Sequence, residues 1–499
     1  MLTSVVLIQQ GTGILEADWR RLIHSGSEGG WLKISALFLV VTYSLPFRRF
    51  FMGFIFPVCV LMSLYFPIGV NFGLPNAGQV VSAFNTDWLE TKEFFRMIPV
   101  WQFAVPPAII AMLLASWWLV RRLSLTCFVS PVFVLVMALT VVYFAGDLRF
   151  LTQGWRYVKE VTVGMKEISA IKTVPTAWRV TVAHPKYRNY VLVVGESNRR
   201  DYMHAYDYPI ENTPFMESRG RLLEGMTSVA DYTIPSLQKA LTKTRVNESV
   251  NYALSVVDLA KVAGFATYWF SNQGHIDKKN TPITALADRA DTKFWVKQGA
   301  RADENTSDLE LLPLVATALE KTKGGEENRL FVLHLMGSHA SVCERIHAPF
   351  AKPVVSDAGR EDAYCYETTM RQTDYFLQQL DAVMRSVGES YSILYFADHG
   401  VSHNNVRGKL VMNHANPANH HRDVPLYCVS SDDKGAERVK ARRYLSNFTE
   451  GVSAWLGVAT EQLPQPRDLF RNEDDADEYG VTQELQHRRD DPVMVVQSP

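Results

Sequence analysis

Three long stretches without a charged residue lie in the first third of this chain, and they limit what it can fold into. They cover residues 50–86, 97–120 and 123–146. Each is longer than the roughly 20 apolar residues that cross a bilayer as a helix. Buried core helices of a soluble protein are the alternative, but three such runs so close together are more typical of membrane helices. With a shorter apolar run at 34–47, they predict four membrane helices near 31–47, 51–73, 99–120 and 125–146, in a transmembrane domain over residues 1–148.

Two arginine pairs predict the orientation of these helices. Arg48 and Arg49 stand between the first and second helices, and Arg121 and Arg122 stand between the third and fourth. Both loops are expected in the cytoplasm, because short cytoplasmic loops carry an excess of positive charge. The N-terminus, the loop between the second and third helices and everything after residue 147 are then expected outside. The apolar start of the chain is not expected to be a signal peptide, since no cationic region precedes it.

The overall composition is balanced and excludes two classes of protein. Lysine and arginine together number 51 against 52 aspartates and glutamates, and 47% of the residues are hydrophobic. The chain therefore has neither the basic excess of a nucleic-acid-binding protein nor the charge excess of a disordered one. We expect no nucleic acid among its partners.

Three of the five cysteines belong to the part predicted to face outward, namely Cys343, Cys365 and Cys428. An oxidising compartment permits a disulfide, and Cys343 with Cys365 would close a modest loop. Cys428 lies in the apolar run VPLYCV and is expected to be a buried strand thiol. The other two cysteines fall within the predicted membrane helices.

Short β-rich runs alternate with helical stretches after residue 188. The runs are YVLVVG (190–195), ATYWFS (266–271), RLFVLHLMG (329–337), YSILYFA (391–397) and VPLYCVS (424–430). Strands that are apolar throughout, with helices between them, predict an α/β sheet that is covered on both faces. We predict a linker over 149–188, the α/β domain over 189–464 and a polar tail over 465–499. The tail has five acids among residues 473–478 and is expected to be a solvated extension.

Polar side chains follow three of these runs, where reacting groups gather in open α/β sheets. Glu196 follows the first run, His339 the third, and Asp398 with His399 the fourth. Eight of the 13 histidines lie between residues 334 and 421. Taken alone, each residue also fits a loop acid, a capped turn or a core histidine. Together they predict a metal site, and a mixture of Glu, Asp and His suits zinc or manganese rather than calcium.

The segment ADYTIPSLQKALTK offers Thr233 as a nucleophile. Pro235 predicts the first turn of a helix that begins there. A hydroxyl at a helix N-terminus is where free N–H groups and the helix dipole stabilise a phosphorylated intermediate. The alternative, which the local pattern alone favours, is that Thr233 only caps the helix. Thr227 and Ser228 are the nearby candidates for the same role.

Several segments, in order, resemble a known family. They are VVGESNRRDY, NTPFM, YTIPSL, WFSNQG, LHLMGSH and ADHG. Over about residues 45 to 450 the chain resembles the membrane-bound phosphoethanolamine transferases of the alkaline phosphatase/sulfatase superfamily. The segments WFSNQG, VLHLMGSHASVC, VSSDDK and KARR make the resemblance strongest for the branch that modifies osmoregulated periplasmic glucans. The resemblance implies a mixed, mainly parallel sheet sandwiched by helices, in a periplasmic domain of a multi-pass protein of the bacterial inner membrane.

The resemblance also implies the contents of the site. The family's zinc ligands fall on Glu196, Asp398 and His399, and Thr233 matches the nucleophile that also faces the metal. Zn²⁺ is therefore the expected cofactor, with Mn²⁺ less favoured.

Four further residues match positions that bind substrate in relatives. His339 and His414 correspond to the histidines that hold the phosphate or a second zinc. Thr86 and Glu90, in the outer loop of the membrane domain, match a threonine and a glutamate that bind the lipid headgroup. Their i to i+4 spacing puts both on one face of a helix.

Two features depart from the family pattern. Relatives usually have five membrane helices, and residues 1–30 do not have the pattern of the missing first one. The lysine that lipid A-modifying members carry shortly after the NQ pair is not matched in SNQGHIDKK, where Lys278 comes too late. Its absence disfavours lipid A as the acceptor.

The function implied is transfer of phosphoethanolamine from phosphatidylethanolamine to a periplasmic acceptor, a hydroxyl of a glucan or a glycolipid, through phospho-Thr233. A sulfatase-fold phosphodiesterase or hydrolase is one alternative, although a sulfatase needs Cys or Ser where Thr233 stands. A catalytically inactive membrane-anchored binding module is another, but the set of predicted ligands and nucleophile is complete.

Overall fold

The computed structural model of the chain describes residues 38–72, 98–125, 174–246, 248–274, 281–298, 304–355, 359–406, 409–414 and 417–496, together with 91–92, 95, 132 and 357. The chain divides into two compact units, an N-terminal unit and a C-terminal unit that contains residues 162–499. The predicted membrane helix over 125–146 lies outside the described residues, apart from positions 125 and 132.

Two helices in the described part of the N-terminal unit are long and apolar enough to cross a membrane. They span Arg48–Gly69 and Val100–Arg122, and they coincide with the predicted helices at 51–73 and 99–120. The first passes through a π-helical turn at Phe51–Ile55 into the α-helix Phe56–Phe72, and the second passes from a 3₁₀ turn at Val100–Ala104 into the α-helix Val105–Arg122. Residues 38–44, which belong to the predicted first helix, are also helical. Large apolar side chains such as Phe54 and Trp118 are more than half exposed, as expected of helices that face lipid.

The C-terminal unit is built around an eight-stranded sheet. In chain order the strands of the described residues are β1 Val180–Ala183, β2 Asn189–Gly195, β3 Gly220–Thr227, β4 Ala266–Ser271, β5 Thr292–Trp295, β6 Arg329–His334, β7 Tyr391–Ala397, β8 Ser402–Val406, β9 Lys409–Asn413, β10 Leu426–Ser430, β11 Ala436–Tyr444 and β12 Val458–Thr460. The strand order in the large sheet is β11-β3-β10-β7-β2-β6-β4-β5, while β1 pairs with β12 and β8 with β9. Only β10 runs antiparallel to its neighbours in the large sheet. The sheet is therefore mixed and mainly parallel, as the family resemblance implies.

Helices cover both faces of this sheet. The central strands β2, β6, β7 and β10 are buried along their whole length, which is why they occur as continuous apolar runs. Alternate residues of β2 enter two separate cores, with Leu192 in one and Val193 in the other. The first core contains residues of the helices Thr233–Ala240, Val256–Val262, Pro282–Ala287 and Phe448–Leu456, and the second those of Pro214–Ser218, Leu311–Lys321 and Glu361–Val387.

The residues after 464 correct the expectation of a solvated tail. Leu469, Phe470, Asp491 and Val496 are buried, and a short helix forms at Val481–Gln486. Some acidic residues of this segment pair with arginines of the α/β domain: Asp491 accepts from the buried guanidinium of Arg199 at 2.9 Å, and the Asp475 carboxylate lies 3.7 Å from the Arg443 guanidinium. We refer to residues 465–496 as the C-terminal strap. Part of its polarity therefore belongs to buried ion pairs, while other acids, such as Glu473 and Asp474, are exposed.

The predicted disulfide is confirmed. Cys343 and Cys365 are bridged, which joins the loop after β6 to the Glu361–Val387 helix. Cys428 is a buried free thiol in β10, also as predicted.

Candidate active site

The register of two central strands brings the predicted carboxylates together. β2 and β7 are parallel neighbours, and their last residues, Gly195 and Ala397, pair with each other. Glu196 and Asp398 are the next residues along each strand, so they leave the carboxyl edge of the sheet side by side. His399 follows directly, which adds an imidazole to the same place.

These three side chains form a tight buried group. One ligand atom from each of Glu196, Asp398 and His399 lies within 4.8 Å of the others. His399 Nε2 is 3.5 Å from Glu196 Oε1 and 3.3 Å from Asp398 Oδ2. None of the three side chains is more than 1% exposed. These three residues therefore lie close together, as the sequence predicts.

Thr233 joins this group from another element. It is the first residue of the Thr233–Ala240 helix. Tyr232 occupies the N-cap position of this helix, and its side chain makes no capping hydrogen bond. The Thr233 hydroxyl donates to Glu196 Oε2 at 3.0 Å, and its oxygen lies 3.2 Å from His399 Nε2. Thr233 therefore does not serve as a helix cap, which was the alternative for this residue.

The alternative hydroxyls have other surroundings. Ser228 Oγ lies 2.5 Å from the backbone carbonyl oxygen of Asp398, and Ser236 donates to the same oxygen at 2.6 Å. Both serines hold the main chain of Asp398. Thr227 ends β3 and forms a bridge with Asp423.

Backbone groups orient the ligands. The N–H groups of Ser197 and His399 donate to Asp398 Oδ1 at 3.1 and 2.8 Å, and the Ser197 hydroxyl donates to Glu196 at 2.6 Å. His399 Nδ1 lies 2.8 Å from the carbonyl oxygen of Gly400. Because a carbonyl oxygen only accepts, the hydrogen of His399 is on Nδ1, and Nε2 presents a lone pair to Glu196, Asp398 and Thr233.

The two buried carboxylates of this group make a bound cation favourable. Burial, reinforced by the charge of Asp398, raises the pKa of Glu196 to about 8. Burial also raises the pKa of Asp398 to about 7, and its Oδ2 is buried without a hydrogen-bond partner among the described residues. Two carboxylates, one imidazole lone pair and one hydroxyl fit a zinc ion, which would offset the cost of burying two negative charges.

A second group contains three histidines. His399, His414 and His421 each offer an atom within 4.8 Å of the others. His414 directly follows the β8–β9 hairpin, and His421 lies in the 3₁₀ turn Asn419–Arg422. The sequence identifies His414 as a site residue but not His421, although both belong to the histidine-rich stretch between residues 334 and 421.

The other predicted site residues are not in these two groups. His339 lies half-buried in the loop after β6, where burial lowers its pKa to about 3, so it is neutral. Thr86 and Glu90 lie outside the described residues.

Comparison with known proteins gives consistent family relationships. Residues 188–458 match the sulfatase family. A putative phosphoethanolamine transferase of Haemophilus influenzae is 36% identical over 70% of this chain and 73% of its own length. The phosphoethanolamine transferase OpgE of Escherichia coli is 32% identical over 81% of this chain and 80% of its own.

Solved structures share the fold. The integral membrane lipooligosaccharide phosphoethanolamine transferase EptA of Neisseria meningitidis aligns with 93% of this chain and 96% of its own, with a TM-score of 0.60 and 14% identity. The C-terminal periplasmic domain of EptC of Escherichia coli, in complex with zinc, aligns with 60% of this chain and 90% of its own, with a TM-score of 0.50 and 21% identity.

Proposed function

The chain belongs to the phosphoethanolamine transferase family, in the branch that includes OpgE, and from that premise we propose its donor, acceptor and chemistry. The donor is phosphatidylethanolamine, and the acceptor is a hydroxyl of a periplasmic glucan or glycolipid. The enzyme is a multi-pass protein of the bacterial inner membrane, with Thr86 and Glu90 contributing to the binding of the lipid headgroup. The observation that carries the proposal is the contact of the Thr233 hydroxyl with both Glu196 and His399.

Glu196, Asp398, His399 and Thr233 are the residues that would hold Zn²⁺, with Mn²⁺ less favoured. The bound ion would supply positive charge that lowers the pKa of the threonine hydroxyl. The buried, hydrogen-bond-free Oδ2 of Asp398 supports this assignment.

The chemistry proceeds in two displacements at phosphorus. The Thr233 hydroxyl loses its proton as Oγ1 attacks the phosphorus of phosphatidylethanolamine, the phosphorus–oxygen bond to the glycerol breaks, and the diacylglycerol oxygen gains a proton as it leaves. The acceptor hydroxyl then loses a proton and attacks the phosphorus of phospho-Thr233, which restores the threonine. His339 and His414 donate hydrogen bonds to the group in transfer, which stabilises its negative charge, and they carry these protons.

A reconstituted transfer assay tests this proposal. The full-length protein in vesicles of phosphatidylethanolamine, with glucan added, should release diacylglycerol and yield glucan that carries phosphoethanolamine, detected by mass spectrometry. Thr233→Ala should abolish both products, while Thr227→Ala, a matched threonine outside the ligand groups, should retain both. Release of free phosphoethanolamine with unmodified glucan would instead indicate a hydrolase, and the absence of diacylglycerol would contradict the donor.

A further inference from the structure

His421 is a fully buried histidine that the proposed chemistry does not use. Its ring centroid lies 5.4 Å from that of His414 and 5.9 Å from that of His399. Because the three rings also form a possible cation site, His421 is either a ligand of a second ion or a support for its neighbours. The hydrogen bonds of its two ring nitrogens distinguish these roles.

The ring nitrogens of His421 have partners of opposite kinds. Nε2 lies 3.1 Å from the backbone carbonyl oxygen of Asp231, which only accepts, so Nε2 carries a hydrogen. Nδ1 lies 2.8 Å from Ser402 Oγ. That oxygen already accepts from the N–H of Ala418 at 2.9 Å, which leaves the Ser402 hydroxyl hydrogen for Nδ1. Each polar atom of His421 is then satisfied in one tautomer.

This tautomer determines that of His414. His414 Nδ1 lies 3.4 Å from His421 Nε2. Since His421 Nε2 carries a hydrogen, a second hydrogen on His414 Nδ1 would face it, so His414 Nδ1 accepts. The hydrogen of His414 is therefore on Nε2, where it can be donated to a negatively charged group.

The carbonyl that fixes His421 is itself held rigidly. The carboxylate of Asp231 accepts from Arg422 at 2.8 and 3.1 Å and from Arg488 at 2.7 and 2.9 Å. Asp231 stands two residues before Thr233, in the loop that leads into the Thr233–Ala240 helix. The main chain that presents the hydroxyl therefore also orients His421.

We propose that His421 is a positioning residue rather than a metal ligand: it keeps His414 in the Nε2–H tautomer, so that His414 donates a hydrogen bond to the phosphoryl group in transfer at Thr233. The inference rests on the proposed function, because the donor of His414 needs a phosphoryl group beside it. A cation on His421 Nε2 would displace the hydrogen that satisfies the Asp231 carbonyl, at the cost of a buried unpaired acceptor.

Substitutions of His421 separate positioning from metal binding. His421→Phe removes both ring nitrogens and should lower kcat by about 10- to 100-fold, the usual effect of losing a group that orients a site residue. The KM for phosphatidylethanolamine and the content of bound zinc should not change. His421→Gln, whose amide N–H can reach the place of Nε2, should restore most of the kcat. His420→Gln, at the neighbouring histidine whose side chain is 35% exposed, is the matched control and should retain the wild-type kcat.

Nitrogen-15 spectra of the histidine side chains in the full-length protein give a readout that does not depend on turnover. In the wild type, His421 and His414 should both show the Nε2–H tautomer, and His421 should keep its shifts when zinc is removed and restored. In His421→Phe, His414 should become a mixture of tautomers. The wild-type spectra carry the test even if this variant fails to fold.

Two results would overturn the inference: loss of a zinc equivalent in His421→Phe or His421→Gln, or metal-dependent shifts at His421 in the wild type. The absence of any transfer by the wild-type protein would instead overturn the proposed function, since the tautomer signals are measured without substrate.

Discussion

Ser197 has an unusual backbone conformation that lets it contact both carboxylates of the site. Its φ of 61° is a left-handed conformation that non-glycine residues adopt at a cost. In this conformation its N–H donates to Asp398 while its hydroxyl donates to Glu196. One strained residue between β2 and the following loop thus links both carboxylates, as is common where a backbone is bent to serve a function.

The carboxylates predict a metal-dependent effect of pH on stability. In the metal-free protein, burial raises the pKa of Glu196 to about 8 and that of Asp398 to about 7, above the value of about 4 in an unfolded chain. Between about pH 4 and pH 8, the native state then binds more protons than the unfolded state. The free energy of unfolding therefore falls as the pH rises through this range. Histidines with lowered pKa values act oppositely, but only below about pH 6.5.

Thermal unfolding of the full-length protein between about pH 6.5 and 8.5 tests this effect. The melting temperature of chelator-treated protein should fall across this range, whereas zinc-loaded protein should show no such fall. Asp398→Asn should reduce the fall in the chelated state, because one of the two groups no longer ionises. Identical pH profiles with and without zinc would contradict the presence of the ion at these carboxylates.

The sequence predicts some of these residues much better than others. Glu196, Asp398 and His399 follow directly from their positions after apolar strands. His421 does not, because its role depends on the carbonyl of Asp231, which is 190 residues away in sequence. No local pattern contains that contact.

Among the segments of the chain, the C-terminal strap differs most from the structure that its sequence predicts. Asp491 accepts from Arg199 at 2.9 Å and contacts His403 at 2.8 Å, and the Arg199 side chain is fully buried. Arg199 stands three residues after Glu196. The strap therefore supports the loop that carries a predicted metal ligand.

Replacing Asp491 should test this support. Asp491→Ala leaves a buried guanidinium with one fewer partner and should lower the free energy of unfolding by about 3 kcal/mol, the lower end for a broken buried pair, because Asp201 still pairs with Arg199. The neighbouring Asp490, whose side chain is 74% exposed, is the control, and Asp490→Ala should leave stability unchanged. Chemical denaturation measures both. Equal stability of the two variants would show that the strap contributes nothing through Asp491.

The sequence predicts those strands whose residues form an unbroken apolar run. The runs at β2, β4, β6, β7 and β10 are evident because they are buried on both sides. β11 carries exposed charges along the edge of the sheet, and β5 has only four residues. Neither has the pattern of a buried strand. The apolar residues of the strap are likewise too scattered to show a period.

The two arginine pairs predict on which side of the membrane each segment of the chain lies. Arg48–Arg49 and Arg121–Arg122 stand at ends of the two long apolar helices that the structure describes. If both pairs are cytoplasmic, the chain after residue 147 is periplasmic. An oxidising periplasm is consistent with the Cys343–Cys365 bridge and with the proposed glucan acceptor.

Reporter fusions test that topology. A periplasm-specific reporter fused after residue 150 should be active, and the same reporter inserted at residues 121–123 should be inactive. A cytoplasm-specific reporter at the two positions should give the opposite result and serves as the control. Cytoplasmic activity of the fusion after residue 150 would contradict the proposed location of the enzyme.

Thr233 is proposed to carry the phosphoethanolamine between donor and acceptor, and intact-mass analysis of the protein can detect this covalent intermediate. Full-length protein incubated with phosphatidylethanolamine and no acceptor should gain one phosphoethanolamine, which peptide mapping should locate at Thr233 in YTIPSLQK. Thr233→Ala should gain none, although Glu196, Asp398 and His399 still bind metal. An undiminished adduct in Thr233→Ala, or an adduct on Thr227 or Ser228, would show that Thr233 is not the nucleophile.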